Sequence, residues 1–166
     1  MPRKYSREST KGLAGNYYVS EFLVAYRDIA NANGGKSPAR LAEPVIDFDL
    51  AKTKKNLKVK SVDLVFATVA NSIVFSEMKM DVTSPNQSEH LATEIRDKIN
   101  SSRTFFSGKG TFAKDQTSYV LLSNRNPKLQ VITSRLKKFL QPHRNKTGDV
   151  EILEESAFEG IFFGEG

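Results

Sequence analysis

The segment SVDLVFATVANSIVFSEMKMD, residues 61 to 81, constrains the fold more than any other part of the chain. Val62, Leu64 and Phe66 alternate with Asp63, Val65 and Ala67, and after Ala70-Asn71-Ser72 a second run places Ile73, Phe75, Glu77 and Lys79 on one face. Two-residue periodicity around a short polar turn predicts two adjacent antiparallel strands joined as a hairpin. Three charged residues, Asp63, Glu77 and Lys79, interrupt an otherwise apolar hairpin. A charge set among apolar neighbours is costly unless paired or bound to a metal, so these three demand a reason for being there.

The flanking segments supply the rest of an α/β fold. Apolar residues at helical spacing from about residue 10 to 31 (Leu13, Tyr17, Phe22, Tyr26, Ile29) predict one long helix ended by Asn33-Gly34-Gly35. Pro44 to Phe48 reads as a short strand, followed by the lysine-rich AKTKKNLKVK. Beyond the hairpin, Pro85 closes a turn and Ser88 is placed to cap a helix in which Leu91, Ile95 and Ile99 stack, ending near Ser102. SYVLLSN, residues 118 to 124, reads as a strand buried on both faces; residues 133 to 141 as a basic helix; VEIL, 150 to 153, as a last strand. A strand-helix-strand crossover after hairpin-linked strands implies a mixed sheet flanked by helices, in one domain over residues 1–166.

Charge narrows the function. All 25 lysines and arginines precede Thr147, whereas six of the 19 acids follow it, so the last 18 residues carry −6 and the rest +12. A basic body with an acidic segment at 149–166 favours a polyanionic partner. With no cysteine and only His90 and His143, thiolate zinc sites, disulfides and histidine-centred catalysis fall away. Ser84, Ser101 and Ser102 lack a base and an orienting partner for serine hydrolysis. No apolar run approaches a membrane span, so the expectation is a cytoplasmic protein without membrane contact.

Side chains two apart on a strand lie about 6.6 Å apart on the same face. Glu77 therefore can bind a cation while Lys79 faces the same cavity, and with Asp63 it offers the hard oxygen ligands magnesium prefers. This arrangement resembles the PD-(D/E)xK nuclease superfamily, with Val62 in place of the proline. The segment KGLAGNYYVSEFL is similar to its resolvase-like and homing-nuclease-like branches. The resemblance implies a restriction endonuclease-like α-β-β-β-α-β core and a magnesium-dependent endonuclease hydrolysing DNA, with manganese as substitute. It implies Asp63, Glu77 and the Met78 carbonyl as metal ligands, Lys79 as the residue assisting the attacking water, and Glu21 as a further acid.

The run Lys52, Lys54, Lys55, Lys58 and Lys60, with Arg96 and Arg103, is the expected phosphate track on duplex or branched DNA. A later cluster, Arg135, Lys137, Lys138, Arg144 and Lys146, would extend it or form a solvated face. Asp47 and Asp49 read as the end of a strand beside a loop. A homodimer is expected if both strands of a duplex are cut, with Ile161, Phe162 and Phe163 as a contact surface or edge strand. The alternative is a non-catalytic nucleic-acid-binding protein on the same kind of fold.

Overall fold

A computed structural model describes residues 3–38, 41–82, 84–107, 115–123 and 125–164. Among the described residues six strands form one mixed sheet in chain order: β1 (Leu23–Ala25), β2 (Pro44–Asp47), β3 (Leu64–Ala67), β4 (Ile73–Met78), β5 (Gln116–Leu122) and β6 (Val150–Glu154). The first four pair antiparallel, while β4, β5 and β6 run parallel. The parallel pairs are linked by the crossover helices α4 (Ser88–Phe105) and α5 (Leu129–Leu140), as parallel pairing requires.

The hairpin forms as its alternation predicts. Leu64 pairs with Ser76 and Ala67 with Ile73, and Asn71 takes the left-handed conformation that closes the turn, with φ of 60°. Every residue of β3 and β4 is buried, because both faces of the sheet are covered. Val65, Ala67, Ile73 and Phe75 belong to one core, under α1 (Arg7–Asn16), α3 (Phe48–Lys55), α4 and α5. Leu64, Phe66 and Val74 belong to a second core, under α2 (Tyr26–Ala32) and α7 (Glu155–Phe163). Residues near the two ends of the described chain meet at that second face, where the Tyr5 N–H donates to the Phe162 carbonyl at 3.1 Å.

The single helix expected over residues 10 to 31 is instead α1, a 3-10 turn at Ser20–Phe22, edge strand β1, and α2. Tyr18 turns the chain with φ of 59°. The reason lies in the faces: Leu13, Tyr17 and Phe22 pack in the first core, Tyr26 and Ile29 in the second, and one straight helix cannot serve both. The chain crosses from one face to the other through β1. The Asn33-Gly34 stop holds, with Asn33 closing α2 and Gly34 at φ of 87°.

The lysine run begins as a helix. Asp47 caps α3 by accepting the Leu50 N–H at 3.0 Å, so the strand end expected at Asp47 leads into a helix rather than a loop. α4 continues to Phe105, past Ser102; Ser88 begins it but donates its hydroxyl to the Pro85 carbonyl instead of capping. α5 begins at Leu129, four residues earlier than the basic pattern suggests, and β5 at Gln116. Asn124 and Glu165 lie outside the described residues. Four residues, Arg144–Thr147, form the short α6.

The acidic segment is β6 followed by α7. Phe158, Phe162 and Phe163 are buried in the second core, around Phe66, which corrects the expectation of an edge strand or a dimer surface there; Ile161 alone of the expected trio is exposed. Aromatic side chains bury more area than any other, and the second face of the sheet is closed with them. Among the described residues, no helix is long and apolar enough to cross a membrane.

Candidate functional site

Asp63 stands immediately before β3, Glu77 near the end of β4 and Lys79 just beyond it, so the antiparallel pairing brings the three charges together at one end of the hairpin. Glu77 shares its face with Ile73 and Phe75 and therefore points toward α4. It is 1% exposed. Its Oε2 accepts from Lys98 Nζ at 2.6 Å and lies 3.4 Å from Lys79 Nζ. Glu94 Oε1 takes the same two ammonium groups, at 3.0 Å from Lys79 and 3.2 Å from Lys98. Two glutamates and two lysines thus form a closed ring of ion pairs between β4 and α4. Glu77 Oε1 is buried and, among the described residues, has no hydrogen-bond partner.

Asp63 Oδ2 accepts the Met78 N–H at 2.7 Å. Burial, and after it the negative charge of Glu77, push the Asp63 carboxyl up to about 8, against the opposing pull of that hydrogen bond. Two carboxyls crowded together out of water cannot both ionise cheaply without a cation beside them. Burial works to raise the Glu94 carboxyl as well, but the hydrogen bonds and charges of Lys79 and Lys98 outweigh it and hold Glu94 below the usual range. Lys98 is shifted up: the charge of Glu77 overcomes the cost of burial.

The backbone at Met78 faces the same place. The Lys79 N–H donates to the Leu121 carbonyl on β5 at 2.9 Å. In a trans peptide the carbonyl points opposite to the N–H, so the Met78 C=O is directed away from β5, toward the Asp63 side. Asp63 lines a cavity of about 420 Å³ together with Asp28, Asp47 and Asp49. Glu94 and Lys98 line a second, of about 300 Å³, with Lys52, Lys60 and Asp97. Asp49 borders both, held by the Ser61 hydroxyl at 2.9 Å.

Glu21 is not gathered into this cluster. It sits in the 3-10 turn, 67% exposed, 3.8 Å from Lys55 Nζ, and lines neither cavity. Among the described residues no three histidine, cysteine or carboxylate side chains form a group that could hold a metal.

The expected phosphate-binding residues divide. Lys52, Lys54 and Lys55 ride the last turns of α3, and Lys58 and Lys60 follow it; Lys54 and Lys58 are exposed. Lys55 is tied to the Tyr18 carbonyl and Lys60 lies 3.5 Å from Asp97. Arg96 is paired with Asp97 at 2.9 Å. Arg103 donates to Gln116 Oε1 at 3.0 Å and to the Lys146 carbonyl at 3.4 Å, which ties α4 to β5 and α6. In the later cluster Arg144 is paired with Asp149 at 2.7 Å.

Lys98 and Glu94 do not stand out in the sequence patterns, although one signal marks them. Each precedes a core position of α4, Ile95 and Ile99, at a spacing of four, which sets them side by side along the edge of the buried stripe. Comparison with protein-family models, curated proteins and solved structures finds no match to this chain.

Proposed function

We propose that the chain is a metal-dependent endonuclease that hydrolyses phosphodiester bonds in DNA. The observation that carries this reading is the meeting of Asp63 and Glu77 at the end of one hairpin, with a buried Glu77 oxygen left unpartnered and Lys79 on the same carboxylate. The order α1, β1, α2, β2, α3, β3, β4, α4, β5 contains the α-β-β-β-α-β succession that the nuclease resemblance implies, with β1, α2 and α3 as additions to it.

Magnesium fits these donors. The bare Glu77 oxygen, the Asp63 carboxyl raised by burial and then by the charge of Glu77, and the Met78 carbonyl directed to that side are hard oxygen ligands, and water and a phosphate oxygen would complete a shell that magnesium seldom takes from protein alone. When bound, such an ion supplies Lewis acidity toward a phosphoryl oxygen and lowers the pKa of a bound water. The protein's own part is positional. Lys79, 14% exposed and held by Glu94, presents a fixed cation that orients the attacking water and opposes the negative charge growing on the phosphate. Lys52, Lys54 and Lys58 hold the backbone of the substrate without reading its sequence.

The test is cleavage of a panel of linear duplex, single strand, flap and four-way junction with magnesium or manganese. Asp63→Ala and Lys79→Ala should bind DNA and fail to cut it; undiminished cutting by either removes the assignment. A second reading, non-catalytic nucleic-acid binding on the same fold, is favoured by one observation: Lys98 already neutralises Glu77. Calorimetric titration of manganese into the wild type and into Glu77→Gln separates the two, because the second reading expects no metal heat from either.

A further inference from the structure

The ring of ion pairs holds one residue that the proposed reaction does not use. Lys98 reaches Glu77 from a different element, α4, and makes the shortest contact in the ring, at 2.6 Å, on a carboxylate that is 1% exposed. Lys79 is already within 3.4 Å of the same oxygen, so Glu77 has two ammonium groups on Oε2 and none on Oε1. A buried carboxylate needs a compensating positive charge at all times, including before any metal arrives. Lys79 and Lys98 together balance Glu77 and Glu94, so the ring is electrically neutral when empty. A divalent cation entering beside Asp63 and Glu77 meets the Lys98 ammonium already seated on that carboxylate.

We infer that Lys98 is a built-in counter-ion: it holds the charge of Glu77 in the metal-free protein and competes with a divalent cation for that carboxylate. It is a positioning residue, and it sets how tightly metal binds as well as how well the empty site holds together. Glu94 shares the Lys98 ammonium, at 3.2 Å against 2.6 Å for Glu77, and so divides its charge between two carboxylates. The inference rests on the metal-binding reading above.

The experiment is manganese titration calorimetry with thermal unfolding, on the full chain without nucleic acid, comparing wild type with Lys98→Met, which keeps the stem and removes the charge. Lys98→Met should unfold at a lower temperature without metal, bind manganese about tenfold more tightly, and gain more from manganese in thermal unfolding, since a charge a few ångströms from a divalent ion is worth at least that much. Lys98→Arg should return wild-type behaviour. Glu94→Gln, which leaves the Lys98 ammonium to Glu77 alone, should move manganese affinity the other way, and this keeps the inference testable if Lys98→Met does not fold. Unchanged or weaker manganese binding by folded Lys98→Met, or tighter binding by Glu94→Gln, overturns the inference and leaves the metal site standing. Absence of manganese binding by wild type and variants alike overturns both.

Discussion

Asp63 Oδ2 holds the Met78 N–H at 2.7 Å, so a side chain from the start of one strand substitutes for the backbone partner that the next strand lacks at its end. β3 pairs with β4 only from Leu64 to Ala67, and its last hydrogen-bonded register is Leu64 opposite Ser76. Beyond it the amide of Met78 would be buried without an acceptor, which costs about 1–3 kcal/mol. The carboxyl that makes the bond is the same one that crowds Glu77.

This double duty gives Asp63 a pH signature. Its carboxyl is raised from 3.8 to about 8 in the folded protein, so between those values the native state holds a proton that the unfolded chain has lost. Stability from this group is complete below about 4, declines as pH rises, and is gone above about 8. Denaturant titrations of the metal-free protein across that range should show wild type losing stability relative to Asp63→Asn. A difference that stays flat from about pH 5 to 8 contradicts it.

The lysine track makes a graded prediction. Exchanging Lys52, Lys54 and Lys58 together for glutamine should weaken DNA binding for all sequences alike and reduce the salt slope by about two to three, near 0.9 for each phosphate that is no longer neutralised. Arg103→Ala should act differently: with its bonds to Gln116 and Lys146 broken it should lower the unfolding temperature and leave the salt slope in place.

Phe106 is the keystone of the first core. It is fully buried, with ring centroids 4.9 Å from Tyr17, 5.0 Å from Phe48 and 5.9 Å from Phe75. Phe106→Ala should cost about 3–5 kcal/mol in chemical denaturation, the range for emptying such a site.

Gly148 follows α6 with φ of 67° and ψ of −171°, a region open almost only to glycine, and a Cβ there would lie 2.8 Å from Arg103 Nη1. Gly148→Ala should destabilise by about 1–3 kcal/mol, and combining it with Arg103→Ala should cost less than the sum, because the clash is then gone.

What was legible in the sequence follows from how many faces each segment serves. The hairpin is legible because strand alternation has one answer, and Ile73, Phe75 and Glu77 do share a face; its ends are not, since Val62 and Asp63 precede β3, Val62 packs in the core opposite to Leu64 and Phe66, and Lys79 lies beyond β4. Residues 10 to 31 misled because their apolar side chains imitate one helix while being divided between two cores. Phe162 and Phe163 looked like surface because nothing in a short acidic segment tells that the second face of the sheet lacks a cover. Within the site, Asp63, Glu77 and Lys79 are near neighbours in sequence and were visible as a pattern; Lys98 enters only by tertiary packing, and Glu21 depended on a helix that does not run that far.

The pairing of Tyr5 with Phe162 sets an order in time. During synthesis, the hairpin at residues 64 to 78 emerges long before α7, yet Phe66 and Val74 wait for Phe158, Phe162 and Phe163 to be shielded. A nascent chain halted before residue 155 therefore shows one face of its central sheet to whatever chaperone or neighbour is at hand, and the hazard ends only when the last helix is laid down.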